Sequence, residues 1–157
     1  MDYISARNRE MQTTLKVLQA YPEDKLNMKP AEKSRTAGEL AMILAVEERV
    51  LKSLMQTGAT DLNLLKPERP LTMTEIISVW QQAVAANDAV LARMSSQDFE
   101  KRVNFYGRQM SLADALWFEL FDHIHHRGQF SVYVRVAGAK LPSIYGPTAD
   151  EPLSIGA

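Results

Sequence analysis

The sequence predicts an all-α protein, a four-helix bundle with crossover connections. Three observations carry that prediction. Four segments of about twenty residues each place apolar side chains at helical spacing. Two of them open on a capping box, Thr36-Ala37-Gly38-Glu39 and Thr72-Met73-Thr74-Glu75, in which hydroxyl and carboxylate each satisfy one free backbone donor. The connections between them are proline-bearing and long enough to cross the end of a bundle.

The first segment, residues 3 to 20, sets Ile4, Met11, Leu15 and Leu18 among polar residues, and Pro22 ends it. Residues 21 to 35 carry two prolines and many charges and read as a loop with Leu26 and Met28 tucked beneath it. The second helix runs from Thr36 to about residue 56, before Gly58, with Leu40, Ile43, Leu44, Val46, Val50, Leu51 and Leu54 inward. Glu47 falls near the centre of that stripe, where a leucine is expected, whereas Glu48 lies at the rim.

Residues 58 to 71 form a second proline-bearing loop, and the third helix runs from Thr72 to about residue 94 with Ile76, Trp80, Val84, Leu91 and Met94 inward. The stretch FEKRVNFYGRQMS alternates around Gly107 and predicts a short hairpin acting as a lid or brace, since two strands alone are marginal in water. The fourth helix occupies residues 111 to 138, capped by Ser111 with Asp114 and ended by Gly138, and it holds all 3 histidines of the chain. Ala115, Phe118, Glu119, Asp122, His126, Gln129, Phe130 and Tyr133 share one stripe of it, while Leu116, Trp117, Leu120, Phe121 and Ile124 spread over the other side. The remaining residues, 139 to 157, are broken by prolines and glycines and are expected to wrap back over the bundle through Leu141, Ile144 and Tyr145.

At 157 residues the chain suits one domain, residues 1–157, with a core that needs no staples. A formal net charge of −1 gives no general attraction to nucleic acid or anionic membranes. Cysteine is absent, so any thiol chemistry needs a thiol carried by a small molecule. With no basic-then-apolar leader and no apolar run of membrane-spanning length, the expected location is the cytoplasm.

Once the helices are placed, the chain resembles the DinB-like, YfiT-type superfamily of metal-dependent bundle proteins. The residues that carry the resemblance are Arg35-Thr36-Ala37-Gly38-Glu39-Leu40, His125-His126-Arg127-Gly128-Gln129, and Val134-Arg135-Val136-Ala137-Gly138 with Leu141-Pro142 and Tyr145-Gly146-Pro147. The resemblance implies a crossover four-helix bundle, often a homodimer. It also implies a divalent metal such as zinc or nickel held by three histidines, and in some members group transfer or isomerisation with a low-molecular-weight thiol. Here Ile43 and Asp122 occupy two of the histidine positions, and His126 matches the third.

Asp122 and His126, four apart, face the same way, and Glu47, one turn after Ile43, can stand in for the missing ligand. One imidazole with two carboxylates favours iron, manganese or zinc and leaves positions for water or substrate. In the competing reading Asp122 accepts a hydrogen bond from His126, Glu47 pairs with an arginine or lysine, and no metal binds. Glu119 and Tyr133 are the candidate proton-transfer groups, Gln129 a partner for the polar cluster, and His123 and His125 surface or interface residues. Two functions follow: a metal-dependent transferase or hydrolase acting on a small molecule, or a stress-related binding module that has lost the three-histidine site. The apolar surplus of the fourth helix, Trp117, Leu120, Phe121 and Ile124, predicts a homodimer.

Overall fold

The computed structural model describes residues 2–66 and 72–153. The prolines of the second loop at 67 and 70, and the last four residues of the expected wrap, 154–157, lie outside the described residues.

Helix α1 spans Tyr3–Gln19, α2 Ala37–Thr57, α3 Met73–Leu91 and α5 Leu112–Val136, with a short α4 at Ser96–Phe99 and a hairpin of β1 Arg102–Phe105 and β2 Arg108–Ser111. Local chemistry sets each boundary. The Asp2 carboxylate accepts from the Ser5 N–H at 2.9 Å to start α1. Thr36 and Glu39 form the predicted box at 2.7 and 3.2 Å, and Gly58 ends α2 in the left-handed region at φ 74°. Thr72 and Glu75 do the same for α3 at 2.9 and 3.2 Å, and Glu23 reaches across from the first loop to accept from the Met73 N–H at 2.9 Å. Helix α3 stops at Leu91, short of the expected residue 94, because Ser95 and Asp98 cap α4 just beyond.

The long helices pack in the ring α1, α3, α2, α5, each helix chiefly against its two ring neighbours. The connections α1 to α2 and α3 to α5 therefore run between diagonal positions, which is the crossover topology. Trp80, Phe130, Leu40, Leu44, Leu54, Ile76 and Leu116 are buried at the centre. Each such side chain contributes roughly 1.5–3 kcal/mol.

The hairpin closes through Tyr106 and Gly107, both at positive φ (48° and 83°), as a two-residue turn requires. Phe105 is buried, and Asn104 bonds across to Gly58 and Thr60 at 2.8 and 3.0 Å, so the hairpin is clamped onto the end of α2.

Two expectations need correction. Glu48 is not at a rim; it is 3% exposed and pairs with the equally buried Arg7, while Asn87 donates to it at 2.7 Å. An arginine that α1 drives into the core must meet a carboxylate there. The apolar surplus of α5 also lies elsewhere: Leu120 is buried, Ile124 is half-buried, and Trp117 stands edge-on to Tyr3 with ring centroids 5.5 Å apart. Of the expected set only Phe121 emerges, joined by Phe118, Val132 and Val136. The C-terminal segment does return over the bundle. Ile144 packs against the core, and the Tyr145 hydroxyl donates to Glu10 at 2.7 Å beside an Arg127–Glu10 ion pair, also at 2.7 Å.

Candidate functional site

Helices α2 and α5 lie side by side, and at their contact Glu47, Asp122 and His126 converge. One donor atom from each lies within 4.8 Å of the others. The spacing explains why: Asp122 and His126 are one turn apart on α5, and Glu47 sits midway along α2, facing them. The cluster opens into a cavity of about 400 Å³ that is also lined by Met42, Ile43, Val46, Val50 and Leu65 on its apolar side, with Arg35, Lys66 and Tyr106 at its polar edges.

A third α5 residue belongs to this centre: His123, expected at the surface or an interface, is buried beside Glu47. It is 2% exposed. Its Nδ1 lies 3.1 Å from Glu47 Oε2 and its Nε2 lies 3.0 Å from Thr14 Oγ1. A carboxylate only accepts, so Nδ1–H donates to Glu47, and in the neutral ring Nε2 then accepts the Thr14 hydroxyl. Trp80 stacks on the imidazole with centroids 6.3 Å apart. The other Glu47 oxygen, Oε1, accepts from His126 Nδ1.

The burial of His123 follows from its place on α5. The histidine lies seven residues from both Leu116 and Phe130, each 0% exposed, and so on their stripe. The buried face of α5 carries Glu119, His123 and Arg127, and this polarity disguised it.

Burial opposes ionisation of Glu47, but the hydrogen bonds from His123 and His126 outweigh it and hold the carboxyl below its ordinary value. The reciprocal bond to Glu47 raises the affinity of His126 for its proton, against the effect of its own burial. Glu119, behind the cluster, behaves oppositely. Burial, reinforced by the charges of Glu47 and Asp122, pushes its carboxyl up to about 8, with a hydrogen bond from Tyr106 pulling the other way. Burial likewise raises Tyr106, whose ring lines the cavity. Nothing in the hairpin sequence signalled that Tyr106 reaches this site.

The remaining sequence candidates lie apart from the cluster. Tyr133 is buried, and its hydroxyl donates to the Arg35 carbonyl at 2.9 Å rather than entering the cavity. Gln129 does not join the polar cluster, because its amide bonds the exposed His125 ring at 2.8 Å.

Chemically, two carboxylates and one imidazole in a half-open cavity suit a borderline divalent cation, with coordination positions left for a substrate. A neutral carboxylic acid at Glu119 and a phenol at Tyr106 stand close to them.

Comparison with known proteins gives a consistent family. The sequence model of the DinB family matches residues 2–153. The uncharacterized protein YrdA of Bacillus subtilis (strain 168) is 28% identical over 152 residues, covering 94% of this chain and 88% of that protein. A DinB-like protein from Bacillus cereus shares the fold with a TM-score of 0.80 at 22% identity, over 91% of this chain and 95% of the other. A mycothiol-dependent maleylpyruvate isomerase shares it with a TM-score of 0.66 at 14% identity, over 90% of this chain and 64% of that one.

Proposed function

The chain belongs to the DinB family, and within that family we propose that it is a divalent-metal-dependent transferase or hydrolase acting on a small molecule in the cavity between α2 and α5. The observation that carries this reading is the convergence of Glu47, Asp122 and His126 within 4.8 Å at the wall of that cavity. These residues would hold the ion, and zinc, iron, manganese and nickel are the candidates by donor type. Such an ion supplies Lewis acidity and lowers the pKa of a coordinated water or thiol.

The protein's own groups do the rest. His123, fixed by Thr14 and Trp80, keeps the Glu47 carboxylate oriented. Glu119 holds a proton near neutral pH and can donate it, and Tyr106 stands between Glu119 and the cavity. A low-molecular-weight thiol is the proposed co-substrate. It is supported by the fold shared with the mycothiol-dependent isomerase, and with no cysteine in the chain such a thiol would be carried by a small molecule. A cytoplasmic setting, where small thiols stay reduced, belongs to the same reading.

One observation favours a second reading, a binding module without catalysis. Glu47 is paired by His123 and His126 and so satisfied without an ion. Metal analysis of untagged protein, expressed with supplemented zinc, manganese, iron and nickel, separates the two. About one equivalent of a transition metal, lost in Asp122→Ala and His126→Ala with the fold retained, supports the enzyme. Less than about a tenth of an equivalent in the parent protein supports the binding module.

A further inference from the structure

The cavity has a cation at its edge that the ligand cluster does not use. Arg35 lines it one turn before Glu39, in the same cavity as His126. Its backbone is held firmly. The buried Tyr133 donates to the Arg35 carbonyl at 2.9 Å, and the Ala37 and Gly38 N–H groups bond back to Met28 and Leu26 at 3.0 and 2.9 Å. Among the described residues the Arg35 guanidinium makes no ion pair. The Glu39 carboxylate is committed to the Thr36 N–H at 2.7 Å, at the start of α2. Lys66, also without an ion pair among the described residues, lines the same cavity from the segment after α2.

Between these cations the wall is apolar. Ile43, Val46 and Val50 follow one another along α2 over roughly 10 Å at 1.5 Å per residue. With the charges of Glu47 and Asp122 offset by a divalent ion, the two cations Arg35 and Lys66 outweigh the one remaining lining carboxylate, Glu39, and leave the cavity positive. A neutral molecule gains nothing from that field, whereas an anion gains a fork of guanidinium donors matched to its oxygens.

We propose that the substrate of this cavity is a small amphiphilic acid, whose carboxylate or phosphate head is bound by Arg35 and whose short hydrocarbon body lies along Ile43, Val46 and Val50. Lys66 adds attraction for the anion without the fixed geometry. The inference deepens the proposed function and rests on its choice of cavity.

The test compares hexanoate with hexanamide, which match in body and differ in charge, and adds hexyl phosphate, with binding followed by calorimetry on metal-loaded and metal-free protein. Hexanoate or hexyl phosphate binding at least about tenfold tighter than hexanamide, with the advantage falling below about twofold in Arg35→Gln and partly recovered in Arg35→Lys, is the expected result. Whichever acid binds tighter identifies the head group. An advantage that survives Arg35→Gln overturns the inference, because the anion is then held by the metal or by Lys66 and not by Arg35, and so does equal binding of acid and amide by the parent protein.

Metal affinity is titrated separately, without any organic acid. If no metal binds but the Arg35-dependent preference persists, the enzyme reading falls and the acid-binding inference stands. If metal binds equally well in parent and Arg35→Gln proteins and the preference is missing, the inference alone falls.

Discussion

His123 Nδ1 lies 3.1 Å from Glu47 Oε2, so a histidine buried in the bundle core holds the carboxylate that faces the cavity. Thr14 at 3.0 Å and the Trp80 ring fix that histidine in turn. Partners of this kind typically change metal affinity ten- to a hundredfold when removed. His123→Phe, which keeps the stacking on Trp80 but lacks the donor, is expected to weaken metal binding by about that factor. Thr14→Val should have a smaller effect in the same direction. Competition against a metal-chelating dye measures both, and circular dichroism confirms that the fold is kept. Unchanged affinity in His123→Phe would make its bond to Glu47 a packing detail.

Glu119 links pH to stability. Its carboxyl is raised from 4.5 to about 8 in the folded protein, first by burial and then by Glu47 and Asp122. Between those values the folded state keeps a proton that the unfolded chain releases, so stability is greatest at the acidic end and falls as pH rises towards about 8. Raised His126 works in the same direction, while lowered Glu47 contributes stability that is lost only at more acidic pH. Replacing Glu119 by Gln removes its share, on the order of a few kcal/mol across the window. Urea unfolding at pH 5.5 and 8.5 should therefore show a smaller loss in Glu119→Gln than in the parent. Parallel losses in both proteins would mean that Glu119 ionises freely.

The Arg7–Glu48 pair calls for a different expectation. Both side chains are at most 4% exposed, and Arg7 also reaches Asp88 at 2.9 Å. Removing one partner leaves an uncompensated buried charge, at a cost of about 3–5 kcal/mol, whereas replacing both with apolar residues of similar volume is often neutral. Arg7→Met should lower stability by that amount. Arg7→Met with Glu48→Leu should recover most of it, leaving the loss of the Asn87 bond to Glu48 as the residue of the cost. Equal destabilisation by single and double variants, measured by denaturant unfolding, would show the pair to be net stabilising.

The helix ends were legible because their signals are local. Thr36 with Glu39 and Thr72 with Glu75 cap within three residues, and the Tyr106-Gly107 turn needs only its own φ angles. Glu47 was legible for a related reason, as a carboxylate among leucines on a stripe that period alone defines. Glu48 and His123 were not, because each is stabilised by residues distant in sequence. Glu48 owes its burial to Arg7, and His123 owes its own to Thr14, 109 positions away. Periodicity reports where apolar residues point; when a buried stripe is itself polar, only its long-range partners distinguish it from the surface. The same limit moved the exposed apolar face of α5, since Trp117 is covered by Tyr3 from the other end of the chain.

That exposed face carries the last prediction, the homodimer. Phe118, Phe121, Val132 and Val136 are 56%, 62%, 54% and 55% exposed, and they run along the side of α5 away from α1 and α2. Gly128 lies on the same side between Phe121 and Val132, and a Cβ there would meet nothing within 4 Å. Two copies of α5 crossing near Gly128 would approach closely at the glycine and bury the four apolar side chains, in the self-complementary arrangement a twofold axis requires. The phenylalanines would be the anchors of that contact. Phe121→Asp places a charge in the contact, and Gly128→Leu fills the close approach. Neither should disturb the isolated bundle, because Phe121 is solvent-facing and leucine favours a helix over glycine by nearly 1 kcal/mol. Sedimentation at micromolar concentration should therefore give a dimer for the parent and monomers of unchanged helical content for both variants. A monomeric parent removes the prediction, and a dimer that survives both substitutions places the contact on another face.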